Sequence, residues 1–189
     1  MSDSNSIVIG GGQKRDLKFV NYKFLDNSQT QKLLQIRNLL SVRKECTNQD
    51  EIKLQNHLKW IANLSGSVYF AVILDEQIIG GMSLVEIKHK NNWGVFFGEN
   101  LPAFDKLFSS FVFLQEVFTK FDFITSSVKK SNSNAISFNH LYGLKEYKED
   151  DEYFYLKLLR DDFLGLNDKV INKFKSSVSK FNIKFDEFI

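Results

Sequence analysis

The pattern of apolar and polar positions predicts alternating strands and helices in the first half of the chain. Residues 17–24 (LKFVNYKF) alternate as a half-buried strand does. Residues 28–45 and 48–64 instead place apolar side chains three or four positions apart, which predicts two amphipathic helices, the second capped by Asn48. Residues 67–74 (SVYFAVIL) and 78–88 (IIGGMSLVEIK) then form a predicted hairpin around the polar turn DEQ.

The second half of the chain also predicts alternating strands and helices. A strand at 93–97 (WGVFF) leads into a long helix at 103–121, whose apolar residues lie on nearly all sides and predict deep burial. A strand at 122–130, a short helix ended by Gly143 and a hairpin spanning 144–159 follow. The order predicts one mixed α/β domain over residues 17–160.

The two ends of the chain have a different character from this domain. Residues 1–16 are polar and rich in glycine, which is typical of a flexible arm. Residues 161–189 repeat apolar positions at helical spacing and predict a helical extension packed on the domain. The alternative is that the extension forms a homo-oligomer contact in which Phe185 and Phe188 remain available.

Composition narrows the function classes. The chain has 189 residues, 43% of them hydrophobic, and a net charge of +2, which is too small for a dedicated nucleic-acid protein. No apolar run approaches the ~20 residues that span a membrane, and the start lacks the pattern of a signal peptide. With Cys46 as its single cysteine, the chain is expected in the cytoplasm. The few His and Cys residues show no metal-site spacing.

Three motifs in a fixed order carry a family resemblance over residues 17–159. They are the hairpin YFAVILDEQIIGGMSLV, the strand WGVFFGE before a long helix, and NSNAISFNHLYGLKEY with Asn132, Ala135, Asn139, Gly143 and Leu144. The chain resembles the GCN5-related N-acetyltransferase (GNAT) superfamily. The resemblance implies a mixed, mostly antiparallel sheet with two splayed parallel strands, flanked by helices. It also implies acetyl-CoA as co-substrate.

Within the superfamily, the chain looks most like the N-acetyltransferases of nucleotide-linked 4-amino-4,6-dideoxy sugars of the pseudaminic-acid pathway type. Arg37 and Asn38 match an early Arg-Asn pair, and His57 and Trp60 match a His followed by a bulky residue. The expected partner is therefore a nucleotide amino sugar. Another amine, such as a protein N-terminus or a small metabolite, remains open, and so does a non-catalytic binding or assembly module.

The resemblance implies a donor site along the fourth predicted strand, residues 93–97, and the helix after it. Val95, Phe96, Phe97 and Gly98 would offer backbone to the pantetheine arm. Three further residues, at the starts of two helices, are expected to bind the cofactor: Ala103, Lys106 and Asn132.

The family's two glycines at the start of the long helix are replaced here by Ala103 and Asp105. A carboxylate ~5 Å from a phosphate charge would oppose binding by roughly 3 kcal/mol at an effective dielectric of 20. The same carboxylate facing outward would merely complement the helix dipole. Sequence leaves both orientations of Asp105 open.

The catalytic residues implied by the resemblance are Asn139, Tyr142 and Glu86. Asn139 occupies the position of a tyrosine that protonates the leaving thiolate, and an amide supplies no proton at neutral pH. Tyr142 lies three residues later on nearly the same helical face and is the expected substitute. Glu86 is the preferred candidate for the base, with His89 and Glu99 as alternatives.

Acceptor binding is expected from Arg37, Arg43, His57 and Trp93. Arg binds a diphosphate through paired charge-assisted hydrogen bonds, and Trp93 is expected to stack on a uracil or sugar ring. Trp60 is the alternative stacking residue, although its position on an apolar helix face favours the core. The leading hypothesis is an acetyl-CoA-dependent N-acetyltransferase.

Overall fold

The computed structural model describes residues 13–46, 48–87 and 90–188, apart from the side chains of residues 87 and 90. The strands are β1 Arg15–Asn21, β2 Ser67–Leu74, β3 Gln77–Ile87, β4 Lys90–Phe97, β5 Phe123–Lys129, β6 Lys145–Glu149, β7 Tyr153–Leu159 and β8 Phe181–Phe185. The helices are α1 Asn27–Asn38, α2 Leu40–Arg43, α3 Leu54–Ala62, α4 Ala103–Val117, α5 Ser133–Leu141, α6 Arg160–Leu164 and α7 Lys169–Ser177.

All eight strands form one open sheet in the order β6-β7-β5-β4-β3-β2-β1-β8. The pairs β1–β2, β2–β3, β3–β4, β5–β7 and β6–β7 are antiparallel. The pairs β4–β5 and β1–β8 are parallel. A mixed, mostly antiparallel sheet flanked by helices confirms the predicted fold class.

The β2–β3 hairpin follows from its turn and its glycines. Asp75 and Glu76 both have positive φ, 48° and 66°, as a two-residue turn matching the twist of the strands requires. At Gly80, an added Cβ would lie 2.2 Å from the Phe96 carbonyl oxygen of β4. The glycines of the IIGG motif therefore let β3 and β4 approach closely.

Helix α4 forms the centre of the core because it is apolar on almost every side. Phe108, Phe111, Phe113 and Leu114 are each at most 1% exposed. Phe111 and Phe108 contact Phe174 of α7, and Phe113 contacts Phe19 and Phe70 of the sheet. Packing on both α7 and the sheet holds α4 in place.

The predicted helix boundaries before β2 are wrong in two places. The segment 28–45 breaks at Leu39, whose ψ of 137° ends α1 and starts α2. The next helix begins at Leu54 and not at Asn48. The Asn38 side chain donates to the Ile52 carbonyl and accepts from the Ile52 N–H, at 2.9 and 3.0 Å, which holds the backbone there in a non-helical path. The described residues between α2 and α3, 44–46 and 48–53, form a segment that we call the strap.

The C-terminal extension contains the predicted helix, α7, after the short helix α6, but it continues as a strand. β8 pairs in parallel with β1 from Phe181 to Phe185. Phe185 stacks on Phe19 with ring centres 4.2 Å apart, and Phe188 lies 5.0 Å from the Phe70 ring. Both rings therefore pack, partly buried, on this chain's own core, and the homo-oligomer contact through Phe185 and Phe188 stays a prediction.

Most of the predicted flexible arm, residues 1–12, lies outside the described residues, and β1 begins at Arg15, inside the predicted arm. Within the described residues, the apolar helices are all too short to cross a membrane.

The close approach of β3 and β4 predicts the effect of a single methyl group. Gly80→Ala should lower the free energy of unfolding by about 3 kcal/mol, because the clash is with backbone that cannot move aside. Gly98→Ala is the matched control, since its Cβ would meet neighbours only at 3.7 Å or more. Urea unfolding measures both, and equal stability of the two variants would contradict this account of the IIGG motif.

Candidate functional site

The site forms where the sheet separates. β4 and β5 run parallel, yet among the described residues they share only the register pair Asn92↔Thr125. Beyond that pair the strands diverge, and a cleft of about 1220 Å³ opens between them. Val95, Phe96, Phe97 and Gly98 line one wall, and residues 127–129 of β5 line the other.

The wall formed by β4 presents backbone to the cleft. Gly98 N–H donates to the Ile79 carbonyl of β3 at 2.9 Å. Hydrogen bonds alternate sides along an antiparallel ladder, so the N–H and C=O groups of Phe97 and Val95 point to the opposite edge. That edge faces the gap to β5. An elongated ligand with its own amide groups can therefore add to β4 as a strand would.

One end of the cleft lies against the start of α4. Ala103, Lys106 and Leu107 line it. The helix begins after Pro102 without a side-chain cap, and N–H groups of a first helical turn have no carbonyl partner within the helix. Together with the Lys106 ammonium, this end of the cleft is suited to an anion.

Asp105 takes neither of the two orientations considered from the sequence. The residue is 7% exposed, and its carboxylate accepts two hydrogen bonds from the Arg15 guanidinium. The distances are 2.7 Å from Nη1 to Oδ1 and 3.3 Å from Nη2 to Oδ2. Asp105 does not line the cleft, whereas Ala103 and Lys106 on the same turn do. The carboxylate therefore points away from the cleft and towards β1.

The start of α5 forms a second edge of the cleft. Asn132 caps the helix by accepting from the Ala135 N–H at 2.9 Å, and Asn132, Asn134 and Ala135 line the cleft. Asn139 also borders the cleft but is 5% exposed. Its Oδ1 accepts from the Trp93 indole at 3.0 Å, and its Nδ2 donates to the Ala135 carbonyl at 2.7 Å. Asn139 is thus engaged in holding Trp93.

Trp93 is more buried and Trp60 more exposed than expected. Trp93, predicted to bind the acceptor, borders the cleft but is 2% exposed and packs against Phe138 and Tyr142 of the core. Trp60, expected in the core, is 39% exposed and lines the cleft. Helical periodicity misplaced Trp60 because the cleft cuts into the apolar face of α3.

Tyr142 is not brought to the cleft. It is fully buried, and its hydroxyl donates to the Leu107 carbonyl of α4 at 2.7 Å. Burial raises the pKa of this phenol far above its usual range. The position of Tyr142 therefore disfavours the predicted role of proton donor to a thiolate.

Two of the predicted bases, Glu86 and Glu99, also lie away from the cleft. Glu86 is exposed on β3 and does not line it. Glu99 is exposed and accepts a hydrogen bond from the Ser41 hydroxyl at 2.6 Å. His89 lies outside the described residues.

An aromatic group with two unpartnered polar atoms lies on the α1–α3 side of the cleft. Tyr22, His57, Trp60 and Tyr69 contact one another, with His57 stacked on Trp60 at 5.4 Å. Arg37 Nη1 and His57 Nε2 are buried and have no hydrogen-bond partner among the described residues. Both residues line the cleft. Such atoms are costly to leave unpaired, so they mark a place for a polar ligand group.

Arg43, also predicted to bind the acceptor, has a different place. Its guanidinium donates to the Asn38 carbonyl at 3.0 Å and the Gln49 carbonyl at 2.9 Å. It does not line the cleft. Arg43 thus ties the end of α1 to the strap.

The sequence pattern predicts a helix from Asn48 and therefore does not predict the strap. Glu45, Asp50 and Glu51 of the strap line the cleft, and Lys129 of β5 reaches across to donate to the Lys44 and Cys46 carbonyls. The polar run TNQDE between the two apolar patterns was the available signal for a loop.

Among the described residues, no three His, Cys, Asp or Glu side chains group as a metal site would need.

Comparison with known proteins rests on structure, since no family model and no curated protein matches the chain. The N-acetyltransferase PseH of Campylobacter jejuni in complex with acetyl coenzyme A is similar, at 22% identity and TM-score 0.57, over 76% of this chain and 98% of that one. FdhC, described as a nucleotide-linked sugar GNAT, is 17% identical with TM-score 0.65, over 87% and 94% of the two chains.

The spermidine N-acetyltransferase of Vibrio cholerae, solved with CoA and spermine, is also similar, at 14% identity and TM-score 0.65, over 80% of this chain and 99% of that one. At these identities the likeness shows the fold. The chain has the fold of the GCN5-related N-acetyltransferases, as its three motifs predicted.

The burial of His57 predicts how stability depends on pH. Burial lowers the pKa of its imidazole, and the charge of Arg37 lowers it further. The unfolded chain therefore binds a proton at His57 more tightly than the folded chain does. The contribution of His57 to the free energy of unfolding is fully present above about pH 6.5, the pKa in the unfolded chain, and is lost as the pH falls through the pKa in the folded chain.

The measurement is chemical unfolding of the wild type and of His57→Gln between pH 7.5 and 5. Any stability advantage of the wild type should shrink as the pH falls, because the variant has no imidazole to protonate. A stability difference that stays constant across this range would contradict the buried, neutral His57.

Proposed function

We propose that the protein is an acetyl-CoA-dependent N-acetyltransferase whose donor lies in the cleft between β4 and β5. The observation that carries the proposal is the split itself: two parallel strands that separate after the pair Asn92↔Thr125, with the start of α4 at one end. The similar PseH structure holds acetyl coenzyme A, which supports this choice of donor.

The donor would be held at three places. Its pantetheine amides would pair with the free backbone edge at Val95 and Phe97. Its diphosphate would lie at the first turn of α4, near the Ala103 N–H and Lys106. Asn132 and its neighbours at the start of α5 would contact the outer wall of the cleft. Ala103 and Asp105 stand at the two positions where the resemblance expects glycine. Because the Asp105 carboxylate points to Arg15, only the Ala103 side chain borders the proposed diphosphate position.

The reaction would proceed by direct attack. The neutral acceptor amine attacks the thioester carbonyl, a C–N bond forms, the C–S bond breaks, and CoA leaves as a thiolate. The backbone donors of β4 would stabilise the developing oxyanion. With Tyr142 buried and Asn139 engaged by Trp93 and Ala135, both the amine proton and the proton for the thiolate would pass through water.

The acceptor we favour is a nucleotide-linked amino sugar. The Arg37 and His57 side chains, which line the cleft, would bind its phosphates, and the exposed face of Trp60 would stack on its base or sugar. The similarity to PseH and to FdhC, a nucleotide-linked sugar GNAT, supports this acceptor class. In this assignment Trp60 takes the stacking role first expected of Trp93.

A second acceptor class is favoured by the charge of the strap. Glu45, Asp50 and Glu51 line the same cleft and would attract a cationic amine. A polyamine or another small cation is therefore the alternative acceptor, and the spermidine acetyltransferase similarity agrees with it.

The donor assignment predicts that acetyl-CoA binds, which calorimetry measures directly. At a hundredfold excess over Kd, acetyl-CoA should stabilise the fold by about 2.7 kcal/mol. Ala103→Glu should weaken binding tenfold or more, because it places a carboxylate on the cleft-lining face of α4. Ala103→Gln, nearly equal in size but neutral, is the matched control. If the wild type does not bind acetyl-CoA at millimolar concentration, the proposed function is contradicted.

The acceptor assignment predicts a ranking in a thiol-release assay. UDP-linked amino sugars should be acetylated with the highest kcat/KM, and Arg37→Lys should raise their KM roughly tenfold, because the planar fork is lost while the charge stays. The Kd for acetyl-CoA should stay unchanged in this variant. Equal or faster turnover of spermidine would contradict the sugar assignment and favour the cationic acceptor.

A further inference from the structure

The Arg15 side chain is tied to three different elements. Its guanidinium binds the Asp105 carboxylate of α4 through two nitrogens, and its Nε donates to Asp75 in the β2–β3 turn at 2.7 Å. The same group lies 5.7 Å from the centre of the Phe181 ring of β8. Paired contacts of this kind fix a planar guanidinium in one orientation.

The surroundings of Arg15 hold it in place. The adjacent Asp16 N–H donates to Asp75 Oδ1, and the Asp75 N–H donates to the Asp16 carbonyl. Asn182 of β8 donates to the Asp16 side chain at 3.0 Å. These contacts hold the Arg15 guanidinium against α4, because β1, the hairpin turn and β8 are joined to one another next to it.

The residue that receives this cation lies at an electrostatically sensitive point. Asp105 is the acidic residue of the first turn of α4, the turn whose Ala103 and Lys106 border the cleft. Unpaired, its charge would cancel much of the positive potential of the helix start, where the donor diphosphate is proposed to lie. Paired with Arg15, its charge is offset by a cation at hydrogen-bond distance.

We propose that Arg15 is a positioning residue of the donor site: it neutralises Asp105 and holds that carboxylate away from the cleft, so that α4 can bind a diphosphate without the usual glycines. The inference rests on the proposed function, since it concerns the same donor. It explains how a chain with an acidic residue in this turn retains an anion site.

The test compares two donors in wild type, Arg15→Met, Asp105→Asn and the double variant. Acetyl-CoA carries the diphosphate, and acetyl-pantetheine carries the same thioester without phosphates. Arg15→Met should weaken acetyl-CoA binding about tenfold, and adding Asp105→Asn should restore it, because the unpaired charge is then removed. The affinity for acetyl-pantetheine should not change in either variant, whereas general damage to the fold would lower both.

Lys18→Met is the matched control, because it removes a cation from the same strand whose partner, Glu76, lies in the same turn. It should leave both affinities unchanged. The Asp105→Asn variant keeps the proposal testable even where Arg15→Met does not fold. It removes one negative charge from the first turn of α4 while Arg15 keeps its pair with Asp75, and it should bind acetyl-CoA about threefold more tightly.

The outcomes separate this inference from the proposed function. A wild type that does not bind acetyl-CoA would overturn both. A wild type that binds, together with an Arg15→Met variant of equal affinity or a double variant that stays weak, would overturn the role of Arg15 alone. Equal losses for both donors, or no tightening in Asp105→Asn, would do the same.

Discussion

The separation of β4 from β5 is the constraint on which the site depends. Parallel neighbours normally continue side by side, but here the two strands share the pair Asn92↔Thr125 and then diverge. The price is an unpaired backbone edge at Val95 and Phe97, which only a ligand or water can satisfy. The rest of the fold supports this opening: β3 holds β4 from the other side through the close contact at Gly80, and α4 and α5 begin at its rim.

Two charged arrangements define what the cleft can bind. At the proposed donor end, Arg15 offsets Asp105, so that Lys106 and the start of α4 are left as the electropositive features of that turn. At the proposed acceptor end, Arg37 and His57 carry unpartnered atoms beside Trp60, while the strap brings Glu45, Asp50 and Glu51 to the same space. A ligand bound there would have to satisfy both a cationic and an acidic surface.

The order of elements, the hairpin turn and the motif-bearing strand were predictable because they follow from local periodicity and turn residues. The places of single side chains were not. Trp60 is more exposed and Trp93 more buried than expected, and the Tyr142 hydroxyl meets the Leu107 carbonyl in the core, because tertiary packing decides which side chains a cleft exposes. Asp105 meets Arg15 across 90 residues of sequence, and β8 joins β1 from the far end of the chain, so neither contact leaves a local signal.

Hydrogen–deuterium exchange with and without saturating acetyl-CoA tests the central claim most directly, because it reports on the backbone edge itself. The account predicts slower exchange concentrated in residues 93–98 of β4 and 103–107 of α4, with the amides of Val95 and Phe97 most affected. The distant edge strand β6 should exchange at the same rate in both states. Unchanged exchange along β4, or protection confined to another part of the sheet, would contradict the assignment of the split as the donor site.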